Sequence, residues 1–204
     1  MTPTILRIDD PRVPGCVLEA LETGLVMIFP TDTIYGMGGN PWDEGVVAKV
    51  RDLKGRADDQ PFTLHLASVA EIDGYADVPE RVRPAVLSLL PGPYTLLLPA
   101  RPAAPACSVR GGTVGIRVPK HPFFASVLAP TARPVFGTSV NRQGEPPSQE
   151  IDEMIDRFPS VDLILVGDVM GAPSDILDFT AVPPRAVRGR LPASLWTSEN
   201  SRDS

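Results

Sequence analysis

Cysteine, histidine, lysine and aromatic residues are all scarce in this 204-residue chain, and each scarcity removes a class of answers. The two cysteines, Cys16 and Cys107, and the two widely separated histidines show no zinc-site spacing, so neither a structural metal nor a disulfide is expected and two free thiols are. Aromatic residues make up 6%, which leaves few stacking platforms for single-stranded nucleic acid. The net charge of −6 argues against broad electrostatic capture of a phosphate backbone. The longest apolar runs, LVMIF, TLLL and LILV, are strand-length and far short of the ~20 residues of a membrane span, so no membrane is expected. The opening MTPTILRIDDPR carries acids where an export signal needs a basic start and an apolar stretch, and the expected home is cytoplasmic.

What is present points to one α/β domain. A chain of this length should bury about 70% of its unfolded surface, enough for a sizeable core. Twenty-four prolines, spread along the chain, imply many firm turns and no Pro-rich linker. Leu25–Phe29 is an uninterrupted apolar run of the kind a central strand shows, and further strands are read at 4–8, 62–66, 94–99, 114–118, 134–139, 161–166 and 176–179. Helices are read around 17–21, from the N-cap Asp43 through Leu53, and at 80–90, 122–128 and 150–158. The links at Pro91-Gly92-Pro93 and Gly111-Gly112 look hairpin-like or irregular, which favours a mixed sheet. Residues 1–193 form the expected domain and 194–204 a disordered tail.

Five polar clusters fall on strands or strand ends, where open α/β sheets bind ligands. FPTDTIYGMGGN sets Thr31, Asp32, Thr33 and Tyr35 and three close glycines after the first apolar run. KGRADDQPFTLHL places Lys54 and Arg56 either side of Gly55, two cations suited to phosphate or carboxylate, with His65 in the following strand. In GGTVGIRVPKHP, Thr113 and Arg117 lie four apart on a strand and so share a face; a buried arginine there needs an anion, from the protein or from a ligand. PVFGTSVN ends on Thr138, Ser139 and Asn141, and Ser174 with Arg188 make the fifth group. Each cluster alone is equally consistent with a well-bonded turn, a solvated charge group or a satisfied buried histidine.

Taken in order, PTDTIYGMGG, KGRADDQPFTLHL, LLPGPYTLLLP, TVGIRVPKHP, TSVN, SDILDFT and AVRG make the chain, from about Leu25 to Arg190, resemble the YrdC/Sua5/YciO family of threonylcarbamoyl-adenylate synthases. The resemblance implies a single-domain α/β fold with a twisted mixed sheet, flanking helices and a large open cleft. It implies a reaction joining L-threonine, bicarbonate and ATP into threonylcarbamoyl-adenylate with release of pyrophosphate, with Mg2+ accompanying ATP. The product would go to a downstream tRNA threonylcarbamoyl transferase, and a direct tRNA contact is left open. Carried over by position, Lys54 and Arg56 are the candidate catalytic cations. Thr33, His65, Arg117, Ser139 and Ser174 would hold threonine or its carbamate, and Arg56, Thr113, Asn141, Ser148 and Arg188 would contact ATP. No metal ligand is assigned.

Val140 between Ser139 and Asn141, Asp175 after Ser174, and Gly189 directly after Arg188 depart from the family pattern. Phe62-Thr63 and Gly92-Pro93-Tyr94-Thr95 lean toward the YciO-like branch, whereas Lys54-Gly55-Arg56 and Asn141 lean toward the synthases. The alternative to a synthase is therefore a YciO-like member that binds RNA or a nucleotide without turnover, or that uses another acceptor.

Overall fold

The computed structural model describes residues 2–55, 60–181, 183–193 and 195. Strands β1 to β11 span Thr4–Arg7, Met27–Phe29, Gly36–Gly39, Thr63–His65, Tyr94–Pro99, Val109–Arg110, Thr113–Arg117, Val135–Ser139, Leu163–Val166, Asp175–Asp178 and Arg185–Arg188. Helices α1 to α5 span Val13–Thr23, Glu44–Lys54, Ile72–Tyr75, Arg83–Leu89 and Ile151–Arg157, and a π-helical segment covers Phe123–Leu128. The strands form one mixed sheet in the order β1-β9-β2-β3-β8-β4-β7-β5-β10-β11, with β6 paired to β7.

The expected elements at the apolar runs are present: Tyr94–Pro99 as read, the others with ends moved by a few residues. The stretch after Phe29 differs from a plain loop. Gly36–Gly39 is a strand, antiparallel to both β2 and β8, in the middle of the sheet. A Cβ at Gly38 would lie 1.8 Å from the carbonyl oxygen of Phe136, so the close approach of β3 to β8 requires glycine there. The hairpin expected at Gly111-Gly112 joins β6 to β7, whereas Pro91-Gly92-Pro93 connects helix α4 to strand β5. Leu195, inside the expected tail, is buried against the core; the rest of that tail, Ser194 and residues 196–204, lies outside the described residues.

Alternation along the strands divides the core and creates the site. On one face of the sheet, Ile28, Met37, Phe136 and Ile164 pack under α2 and α5. Leu64, Leu96, Ile116 and Leu177 continue that face together with residues of α3 and α4. On the other face α1 and the π-helical segment cover Met27, Phe29, Val135 and Leu163. The same face of β4, β7, β5 and β10 is lined by Thr63, Thr113, Thr95 and Asp178, which border a cavity rather than a helix. At ~25 cal/mol per Å2 of apolar burial, leaving that half of a sheet face uncovered forgoes stabilisation, which is consistent with its use as a binding surface.

Candidate active site

The cavity has a volume of about 800 Å3 and draws its walls from the loop after β2, the end of α2, strands β4, β5, β7, β8 and β10, and β11. Of the residues expected to form the site, His65, Lys54, Thr113, Arg117, Ser139, Asn141, Ser174 and Arg188 all border it. Arg56 lies outside the described residues. Thr33 is buried behind the wall and meets the site through Arg117. Ser148 is buried beside Pro147 of the cavity wall; its N–H donates to the Val140 carbonyl (2.7 Å) and its Oγ accepts from Arg157 Nη1 (2.6 Å). Arg157, on α5, thereby orients the Ser148 hydroxyl, whose own proton is left to donate.

The floor is built around Arg117. Thr113, Gly115 and Arg117 share the cavity face of β7, as their spacing requires, while Val114 and Ile116 point into the core. Arg117 is 5% exposed. Its Nη2 donates to Asp32 Oδ1 and to Thr33 Oγ1 (2.6 Å), with Thr31 Oγ1 at 3.4 Å. The loop holding these acceptors is itself fixed, since Thr31 Oγ1 donates to the Ile34 carbonyl (2.7 Å) and accepts from the Thr33 N–H (3.1 Å). Arg117 Nε is buried with no hydrogen-bond partner. An unsatisfied buried donor is costly, and here it belongs to a side chain that borders the cavity. Burial lowers the Arg117 pKa from its ordinary value, Asp32 acts against that shift, and the positive charge of Arg188 adds to it.

His65 stands beside Arg117 in the paired register of β4 and β7. Its ring lies across Gly137 of β8, where a Cβ would come within 2.9 Å, so β8 also needs glycine at this crossing. Burial, with a smaller contribution from Arg117, pushes its pKa down to about 3, and the ring is neutral at pH 7. Nδ1 lies 3.2 Å from the Thr63 carbonyl, which can only accept, so Nδ1 carries the proton and Nε2 is an acceptor.

At the other end of the cavity Lys54, the last residue of α2, is 4% exposed. Its Nζ donates to the Ser139 carbonyl (2.7 Å), the Asn141 carbonyl (2.8 Å) and Asn141 Oδ1 (3.0 Å). Ser139 Oγ also donates to Asn141 Oδ1 (2.5 Å), so the end of β8 is a connected polar unit. Opposite, Arg188 donates through Nε and Nη2 to the Ser174 carbonyl (3.1 and 2.7 Å), and Ser174 Oγ pairs with Thr95 Oγ1 (3.0 Å). Burial lowers the Arg188 pKa, and Asp175 acts against it.

Sequence reasoning missed Asp178 and Arg185. A register shift in the β10–β11 pairing leaves Val187 as an extra residue between Ala186 and Arg188. Arg185 and Arg188, three apart, therefore sit opposite Asp178 and Ile176 and both border the cavity. Asp178 accepts from Arg185 Nε (2.9 Å) on one oxygen and from Thr180 N–H (2.9 Å) on the other. A regular strand would have sent the two arginines to opposite faces, and nothing in RAVR signals the bulge.

A wall of fixed cations, hydroxyls and one neutral imidazole can position anions and an amine without a nucleophile of its own. The family model Sua5/YciO/YrdC, described as telomere recombination, matches residues 19–189. A threonylcarbamoyl-AMP synthase from Pyrococcus abyssi is 32% identical over 179 residues, which is 84% of this chain and 52% of that protein. The chain thus spans about half the length of that relative. A structure of P. abyssi Sua5 complexed with L-threonine superposes with a TM-score of 0.80 at 28% identity, covering 92% of this chain and 56% of the other. Escherichia coli YciO superposes with a TM-score of 0.83 at 26% identity, covering 92% and 95%. No helix among the described residues is long and apolar enough to cross a membrane. By the extent of the family match, this chain belongs to the Sua5/YciO/YrdC family.

Proposed function

We propose that the chain is an L-threonylcarbamoyl-AMP synthase, acting in the cytoplasm on L-threonine, bicarbonate and ATP to supply a tRNA threonylcarbamoyl transferase. The observation that carries this reading is the end of the cavity where a buried, half-satisfied Arg117 stands beside a neutral His65. Such a pair suits an amino acid: the guanidinium takes the carboxylate, and Nε2 accepts a hydrogen bond from the hydroxyl or amine. The P. abyssi relative crystallised with L-threonine supports the choice of amino acid.

In this reading the threonine amine joins the carbon of bicarbonate with loss of water, giving a carbamate. A carbamate oxygen then attacks the α-phosphorus of ATP, the bond to the bridging oxygen breaks, and pyrophosphate leaves. The chain's part is to hold two anionic reactants together against their repulsion, through Arg117 on β7 and Arg188 with Arg185 on β11. Thr113 and Asn141, which border the cavity, are read as nucleotide contacts, and Lys54 as fixing the Ser139–Asn141 strand end. Magnesium is read as arriving with ATP, held by phosphate oxygens and water, because Asp32 and Asp178 beside the cavity are each paired with an arginine.

Pyrophosphate release by the purified protein with ATP, magnesium and bicarbonate should depend on L-threonine; release that is absent, or indifferent to threonine, would overturn the reading. The likeness to YciO over nearly the full length of both chains favours a second reading, nucleotide or RNA binding without turnover. That reading expects saturable ATP binding and no pyrophosphate.

A further inference from the structure

Two buried hydroxyls face each other on the cavity wall. Thr95 on β5 and Ser174, just before β10, are both nearly inaccessible, and their oxygens lie 3.0 Å apart. The sheet gives Thr95 its place. It pairs with Ile176 of β10, which pairs in turn with Arg188 of β11. On its other side, the register that sets Leu96 against Ile116 brings Thr95 beside the end of β7, where Arg117 stands. Thr95 therefore lies in one row of the sheet between the two arginines.

A glycine fixes which way its side chain turns. A Cβ at Gly115 would lie 3.7 Å from Thr95 Cγ2, so the threonine methyl rests over Gly115 on the β7 side. The hydroxyl is thereby turned to Ser174 on the β10 side. A β-branched side chain is stiff at χ1, and this packing holds it in that rotamer.

The protons can then be counted. Two hydroxyls bring two protons, and the bond between them uses one. Arg188 Nη2 also reaches Ser174 Oγ (3.3 Å), but a guanidinium only donates. Among the described residues neither hydroxyl has an acceptor other than its partner. One proton is left over, on groups that border the cavity. When Thr95 donates to Ser174 Oγ, that proton and the Arg188 N–H fill both lone pairs of the oxygen. The Ser174 O–H then has only the cavity to donate to.

We propose that Thr95 is a positioning residue for the substrate: it donates to Ser174 Oγ and so directs the Ser174 proton to a carboxylate oxygen of the bound amino acid. The proposal rests on the reading that threonine is the substrate and that Arg117 receives its carboxylate. A hydroxyl pair present only to tie β5 to β10 would contribute to stability and leave ligand affinity alone.

Isothermal titration calorimetry on the full chain tests it, with L-threonine and with ATP. The variants are Thr95→Val, Thr95→Ser, Ser174→Ala and the double Thr95→Val/Ser174→Ala; valine keeps the size and branching of threonine. Ser174→Ala should weaken threonine binding by about tenfold or more, the scale of one hydrogen bond to a charged group. Thr95→Val should weaken it by about fivefold and Thr95→Ser by less than about twofold, with ATP affinity held within about twofold in both. The double variant should bind threonine within about twofold of Ser174→Ala, because the hydroxyl that Thr95 directs is already gone. Should Thr95→Val not fold, Thr95→Ala takes its place in the same cycle. Wild-type threonine affinity in the hydroxyl-free variant, losses that multiply in the double variant, or an equal loss for ATP would each overturn the proposal alone. Absence of saturable threonine binding by the wild type would instead overturn the substrate reading beneath it, and the role of Thr95 with it.

Discussion

Replacing Lys54 by methionine separates two roles for this residue. The sequence suggests a cation that neutralises phosphate, whose loss would stop turnover and leave the fold intact. The structure gives the ammonium a different occupation: it donates to two backbone carbonyls and a side-chain oxygen at the end of β8, at 2.7, 2.8 and 3.0 Å. Hydrogen bonds from a charged donor contribute about 1.5–3 kcal/mol each, part of which water would recover at the cavity edge, so a loss of about 3 kcal/mol is expected. For a domain of this size each kcal/mol shifts the melting temperature by about 2–4 °C, giving a fall of at least about 6 °C. Thermal and urea melts of Lys54→Met beside the wild type measure it, and turnover should fall with them as Ser139 and Asn141 lose their positions. A melting temperature within about 2 °C of wild type, with turnover down tenfold or more, would refute the tie and return Lys54 to the phosphate.

Three further outcomes follow from the same geometry. Arg185→Ala should raise the KM for ATP about tenfold, the scale of one lost charged contact, and leave that for threonine within about twofold; equal KM values for ATP would place Arg185 outside the site. Gly38→Ala should fail to give soluble folded protein, because its Cβ would meet the Phe136 carbonyl at 1.8 Å and neither strand can move alone; a cooperative melt near that of wild type would contradict the packing. His65 has its pKa pushed down to about 3 in the folded chain, so between pH 6.5 and 3 the unfolded chain binds the extra proton and stability falls with pH, by about 1.4 kcal/mol per unit from this group. His65→Phe should flatten that stretch of a stability-against-pH profile; an identical slope would mean that the ring is not held neutral. Residual slope is expected from His121, whose pKa burial also lowers.

What was legible in the sequence was legible through period and punctuation. The alternation in TVGIR alone puts Thr113 and Arg117 together, and the Asp43 cap is observed, its carboxylate accepting from the Val46 N–H (3.1 Å). Gly36–Gly39 was not legible as a strand, because its four residues include three glycines and a strand's local signals come from side chains. It is a strand because β2 and β8 leave room only for backbone between them. Arg185 was hidden by parity, which a bulge reverses without any mark in the local composition. Asp32 was visible in PTDTIYG, but its partner Arg117 lies 85 residues away in sequence, at the end of β7. The contact of Arg157 with the Ser148 hydroxyl, nine residues apart across the start and end of α5, is likewise visible only in the fold.

The central claim is that this cavity makes a carbamate from threonine and joins it to the adenylyl group of ATP. Its most direct test is mass detection of the product formed by the full chain from ATP, L-threonine, magnesium and 13C-labelled bicarbonate. The account predicts an ion at the mass of threonylcarbamoyl-adenylate that is one unit heavier than with unlabelled bicarbonate and is absent without threonine. Pyrophosphate without that ion, or an adenylate that carries no label, would contradict it.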